Sequence, residues 1–400
     1  MHSGQRYSVQ ENSYKTVSMT VTQPTIITIE TGNFQTNETK DFDNKMLRLV
    51  VPTSKEVDFH DFESEHLHIS GTTYMSGILF LTLNGKKYEV FKHKNDDSGK
   101  MYLFIDSVEE NTIEEFRKNT KAILLAYGFI KGNLYQDHHY YQVVEHKEGY
   151  SKVLATAYFR LEESIISEVA IFDYIEFEMY LKQIKQEHIL EKVSNELKAS
   201  VFSEMCELLS NNIAFARSVQ LILESNQTKG LLLRAGILSI ALETLTSFIA
   251  DEHEEKISPI PDKQLRKKII PKLKDVVDEY ESFLSDYGFA VLNAKIDNIN
   301  APTNSKKLSK PFEILEIKLS ETEKKILNHR NKFLHGTSPF DDEELEEKQG
   351  DIAYICKKLL TLCNALVLRN CGYRGPMVDF GGYHQLRWDE KMTEHLYKII

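Results

Sequence analysis

Three residues near one another in the last third of the chain carry groups suited to chemistry: Arg330, Asn331 and His335, within Ser320 to Gly336, SETEKKILNHRNKFLHG. A guanidinium holds phosphate oxygens bidentately, and an imidazole moves protons near neutral pH. Together they suit cleavage of a phosphodiester by the adjacent ribose hydroxyl, with charge building where a fixed cation can meet it and no metal required. One histidine does not easily serve as both general base and general acid. Two copies of the helix paired across a two-fold axis would complete the site. A structural reading stands beside this one: His335 caps the last carbonyls of a helix, and Arg330 pairs with an internal carboxylate.

The helix that must position these residues has legible ends. Ser320 and Glu323 form the S-x-x-E capping box, and Gly336 is the usual residue just past a helix C-terminus. At about 100° per residue, with Ile326 at zero, Phe333 falls near 340°, Leu334 near 80° and Leu327 near 100°, which defines an apolar stripe. Arg330 falls near 40°, inside that stripe, so its charge calls for an anionic partner. Asn331 and His335 are four apart and share the neighbouring edge.

Arg330-Asn331-Lys332-Phe333-Leu334-His335 resembles the R-N-x-x-x-H signature of the HEPN superfamily, all-α domains acting as metal-independent endoribonucleases, usually as dimers. A β-rich first half joined to such a bundle is most similar to the ApeA-like group of anti-phage HEPN nucleases. The resemblance implies RNA cleavage leading to abortive infection, with Arg330 and His335 catalytic and Asn331 assisting, and no cofactor. It covers roughly residues 198–373, and for residues 1–160 it is architectural only. One departure is visible. Many such domains carry an acid followed four positions later by a basic residue on an earlier helix, whereas Glu243 is followed by Ser247, so Glu243 serves equally well as a structural partner for a buried cation.

The rest of the chain predicts an α+β protein: a β-rich N-terminal domain followed by an all-α, HEPN-like helical bundle. Over residues 1–160, short runs such as KMLRLVVP and YYQVVEHK alternate with turn residues, Asn84-Gly85 marks a hairpin, and one helix spans about 112–127. This part is expected to sense or bind something, a phage-derived trigger or a regulatory ligand. Residues 161–200 read as a helical connector, 201–375 as the nuclease bundle and 376–400 as a tail. Within the bundle, apolar spacing predicts helices at 213–224, 231–251, 272–285, 321–335 and 342–370. Residues 293–311, rich in Pro, Asn, Ser and Lys, read as a long loop.

Composition narrows the field further. With 400 residues, 41% apolar and 27% charged, the chain is an ordinary globular one of two or three domains. Its 49 basic and 60 acidic residues give a net charge of −11, so RNA binding must rest on a local basic site. Lys263, Arg266, Lys267, Lys268, Lys272 and Lys274, with no acid between them, read either as such a site, joined by Lys332 and by Lys306, Lys307 and Lys310, or as a solvated helix face. Four scattered cysteines form neither a disulfide scaffold nor a zinc ribbon, and reduced thiols with no apolar leader suggest the cytoplasm. The histidine clusters at 60–68 and 137–139 read as strand and turn residues rather than metal ligands. Gly230 to Ala250 is apolar enough to raise a membrane question. Arg234 and Glu243 inside it, each costing about 3 kcal/mol at a bilayer centre, point instead to a buried core helix. Walker A and dinucleotide-binding glycine motifs are absent, and Asp379-Phe380-Gly381 lacks the other parts of a kinase.

Overall fold

The computed structural model describes residues 7–9, 14–20, 26–31, 33–36, 42–63, 66–69, 72–75, 77–95, 99–147, 150–160, 162–167, 169–189, 196–388 and 393–400. The architecture is α+β, with an antiparallel sheet in the N-terminal half and helices in the C-terminal half. The chain divides into a sheet unit, Met1–Lys229 with Cys371–Ile399, and a helical unit, Gly230–Asn370.

Eight strands form the main sheet in the order Tyr7–Val9, Asn33–Thr36, Tyr150–Arg160, His138–Lys147, Leu47–Thr53, Met101–Ser107, Lys86–Lys94 and Ile78–Leu83. Every neighbouring pair is antiparallel. Period-two alternation sets the buried face: in Ile78–Leu83, Leu79, Leu81 and Leu83 are buried while Phe80 and Thr82 face out. The hairpin forms at Asn84-Gly85, whose φ values of 51° and 74° are both positive, as a two-residue type I′ turn requires.

Helix α1 (Ile113–Lys131) starts at Thr112, whose side chain accepts the Glu115 N–H, and ends at Gly132. Helix α2 (Tyr174–Gln183) follows the sheet, then α3 (Ala199–Asn211) and α4 (Ile213–Gln227). The stretch expected as a continuous helical connector is broken: α2 stops at Ile184, Lys185 takes a φ of 57°, and a single 3-10 turn follows at Glu187–Ile189. Residues 201–229, expected with the nuclease bundle, belong to the sheet unit, because α3 packs on α1 and Ile78–Leu83 while α4 packs on α1. Phe202 of α3 meets Phe62 edge to face at 5.1 Å. Such long-range burial carries no local sequence signal.

The helical unit comprises α5 (Leu231–Glu252), α6 (Glu254–Ile257), α7 (Lys263–Asp278), α8 (Asp286–Asp297), α9 (Asn304–Ile314), α10 (Glu321–Leu334) and α11 (Gln349–Asn370). Helix α5 is its core, packed by α9, α10 and α11. It is long and apolar enough to cross a membrane by length and composition, yet half of its most apolar window is buried inside the protein. Two expectations fail here. The segment 293–311 is not a loop: Thr303 caps α9 by accepting the Lys306 N–H at 3.3 Å, and Leu308 and Phe312, four apart, are buried. Tertiary burial of that pair outweighs the polar, Pro-containing composition. The helix expected from 272 begins instead at Lys263, capped by Asp262, and passes through Pro271.

Residues 371–399 return to the sheet unit and are no loose tail. Pro376–Val378 and Tyr397–Ile399 pair as strands around α12 (Phe380–Arg387), and the Val378 N–H donates to the Ile171 carbonyl at 2.9 Å.

Candidate functional site

Helix α10 carries the candidate residues, and both of its ends follow from sequence. The Ser320 hydroxyl accepts the Glu323 N–H at 3.1 Å, and the Glu323 carboxylate accepts the Ser320 N–H at 2.9 Å, closing the capping box. At the other end the Gly336 N–H donates to Phe333 O and the Thr337 N–H to Lys332 O, with Gly336 at a φ of +70°. These two bonds make a Schellman cap and place His335 at the C-cap.

The buried face is Glu323, Ile326, Leu327, Arg330 and Phe333, the stripe expected from spacing except that Leu334 is only half-buried. Arg330 is only 5% exposed. Its Nη1 lies 3.5 Å from Glu243 Oε2 of α5, a charge contact too long to be a good hydrogen bond, and its Nε is buried without a hydrogen-bond partner. The Glu243 side chain is half-exposed, so the tip of the guanidinium lies where this carboxylate meets solvent. Donors of a planar fork are thus left unused, and an oxyanion with two oxygens in bidentate reach, such as a phosphate, fits them better than a single distant carboxylate. Helix α10 crosses α5 closely here: a Cβ built on Gly236 would stand 3.7 Å from the Phe333 carbonyl.

Asn331, Lys332 and His335 are exposed, so the same helix turns its arginine inward and its amide and imidazole outward. His329, beside Arg330, had no role in the sequence reading. It is half-buried, its Nδ1 is buried without a partner, and burial, followed by the nearby Lys332 charge, holds its pKa below the ordinary value. The sequence cue for it is its place about 40° beyond Phe333 on the helical wheel, at the edge of the apolar stripe.

The lysine run lies on α7, of which no residue is buried. Lys263, Lys267, Lys268 and Lys272 are exposed. Arg266 is paired with Glu254 at 2.9 Å and Lys274 with Asp297 at 2.7 Å, so two of the six expected cations are already neutralised. Helix α7 packs on α8, whereas α10 packs on α5, α11 and α9, so the run is not part of the contacts that build the motif. Of the further lysines, Lys310 is engaged by Glu313.

No group of three or more His, Cys, Asp or Glu among the described residues is arranged to hold a metal ion. The side chains of Glu65, His66 and His68 lie outside the described residues. His138 bonds the Tyr158 hydroxyl at 2.7 Å. All four thiols are buried, and burial pushes each of them up, Cys356 to about 11, which leaves them unreactive. Comparison with protein families, curated proteins and solved structures finds no match to this chain in any of the three.

Proposed function

We propose that the chain is a metal-independent endoribonuclease of the HEPN type, acting as a homodimer. The observation that carries this reading is Arg330: a buried guanidinium with unused donors, five positions before an exposed His335 and next to an exposed Asn331. A scissile phosphate would displace Glu243 from the guanidinium, and His335 would take the proton of the ribose 2′-hydroxyl as its oxygen attacks phosphorus. The 5′-oxygen leaves, protonated by the second protomer's imidazole, and the products are a 2′,3′-cyclic phosphate and a 5′-hydroxyl. A face of α5 supports the pairing of two copies. Leu233 and Ile240, seven apart, are 64% and 47% exposed on the helix that carries Glu243 and packs on α10.

The exposed lysines of α7 and Lys332 would hold RNA through its phosphates. Following the resemblance of residues 330–335, we read the activity as anti-phage defence by abortive infection. A second reading is favoured by the Arg330–Glu243 contact itself: the pair is structural, and the domain captures RNA or dimerises without cutting.

Incubation of the full chain with end-labelled RNA in excess chelator separates the two. Cyclic-phosphate ends that disappear in Arg330→Ala and in His335→Ala support the nuclease. Cleavage that survives both substitutions, or salt-sensitive binding with no cleavage of any RNA, overturns it.

A further inference from the structure

Helix α1 presents Ile113, Arg117, Lys121 and Leu124 at intervals of three or four, on one helical face. Between that face and the strand His138–Lys147 lies a cavity of about 720 Å³, within the range of small-molecule sites. Its two layers differ. The floor is apolar and buried, formed by Leu124, Leu125, Leu134 and Tyr141. The rim is exposed and cationic: Arg117, Lys118, Lys121 and Arg160 stand against Glu114 and Glu162, an excess of two positive charges. Arg117 is held in place by stacking, its guanidinium 4.5 Å from the centre of the Phe159 ring and 5.7 Å from that of Tyr141. Lys118 is engaged by Asn211 at 2.9 Å and Arg160 also has a partner, so the phosphate-binding role falls to Arg117 and Lys121.

One lining residue also carries a buried polar atom without a partner. His139 lines the cavity and is 3% exposed. Its Nε2 lies 3.3 Å from the Tyr135 carbonyl, so that nitrogen carries the proton and donates. Nδ1 is then an acceptor, buried and without a partner. Burial lowers the ring's pKa to about 4 against the weaker pull of Asp137, so His139 is a neutral acceptor at neutral pH. A buried acceptor left open is costly, and a ligand N–H or O–H satisfies it.

We propose that this cavity binds a nucleotide, with its phosphate on Arg117 and Lys121 and its base in the apolar floor, where a ring or exocyclic N–H donates to His139 Nδ1. The chemistry discriminates among amphipathic anions. A fatty acid meets the rim charge and the floor, yet brings no donor to the buried end. Inorganic phosphate meets the rim alone. A nucleobase is flat, largely apolar on its faces and carries N–H groups at its edge, and so answers all three features at once. The proposal stands on the sheet unit alone and does not depend on the nuclease reading.

Calorimetric titration of the full chain with AMP, GMP, CMP and UMP tests it, with adenosine, inorganic phosphate and decanoate as comparison ligands. The expected result is one site per chain for at least one mononucleotide, with micromolar affinity that falls with added salt. Lys121→Glu, at an exposed position, weakens it at least tenfold, and His139→Gln, which retains an acceptor, binds more tightly than His139→Phe. Should His139→Phe not fold, Lys121→Glu decides the matter. The Arg330→Ala chain binds the nucleotide as the native chain does, which keeps this outcome separate from the fate of the nuclease reading. Millimolar or weaker binding of every mononucleotide, binding unmoved by Lys121→Glu, or decanoate binding more tightly than every nucleotide overturns the proposal.

Discussion

Lys358 Nζ of α11 lies 3.2 Å from Glu323 Oε1 of α10, and both side chains are sealed from solvent, 0% and 1% exposed. The other oxygen of the same carboxylate accepts the Ser320 N–H. One side chain therefore closes the N-terminus of α10 and ties that helix to α11. Glu323 and Arg330 are seven apart, two turns along one face, so fixing the first about the helix axis fixes the direction of the second.

Breaking this pair from one side leaves a buried charge uncompensated. Lys358→Met is expected to lower stability to urea unfolding by about 3 to 5 kcal/mol. The double variant Glu323→Gln/Lys358→Met removes both charges, keeps an acceptor for Ser320, and should recover at least half of that loss. A double variant as unstable as the single one would show that the pair is not the unit of cost.

Two glycines at helix ends should respond differently to a methyl group. Gly336 has a φ of +70° with open space around its Cβ position, so Gly336→Ala costs only the backbone strain, about 1 kcal/mol. Gly132 has a φ of +75°, and a Cβ there would stand 2.7 Å from the Val169 carbonyl oxygen. Gly132→Ala should cost about 2 kcal/mol or more, since the backbone must also shift. Thermal melts of the two variants order them.

Stability should fall on mild acidification. The ordinary histidine pKa is 6.5, whereas burial holds His139 at about 4 in the folded chain. The unfolded chain therefore takes up a proton through this window and the folded chain does not, so His139's contribution is complete above pH 6.5 and is lost towards pH 4. The loss reaches about 3 kcal/mol at most. His139→Gln removes the titration, and its stability relative to the native chain should improve as pH falls from 7 to 4.5.

The lysines of α7 should not act alike in RNA binding. Neutralising exposed Lys263, Lys267, Lys268 and Lys272 one at a time should each reduce the salt slope of binding by about one ion, measured by titration at several salt concentrations. Arg266→Ala and Lys274→Ala should have a smaller effect, because Glu254 and Asp297 already occupy those cations. Equal effects at all six would rule out the importance of these ion pairs.

Where a feature depends on residues close in sequence, it could be read from the sequence. The capping box at Ser320 and Glu323, the Gly336 stop, the Asn84-Gly85 hairpin and the placement of Arg330 in the stripe of α10 each involve neighbours within a turn or two, and backbone stereochemistry settles them locally. The α+β division was legible for the same reason, through the change of period from two to three or four.

Other features were decided by partners far along the chain. Leu308 and Phe312 fold a polar, Pro-containing segment into α9 because both become buried, and Phe202 joins α3 to the sheet unit through a ring at position 62. The anion facing Arg330 is Glu243, 87 positions earlier, and Nδ1 of His139 is left without a partner only because tertiary packing buries it. Sequence by itself thus determined which helix carries the guanidinium, the amide and the imidazole, and which side of it the guanidinium takes. Tertiary structure alone decided what the guanidinium meets, which lysines remain unpaired and where a buried polar atom waits for a donor, because burial and charge pairing depend on distance in space rather than along the chain.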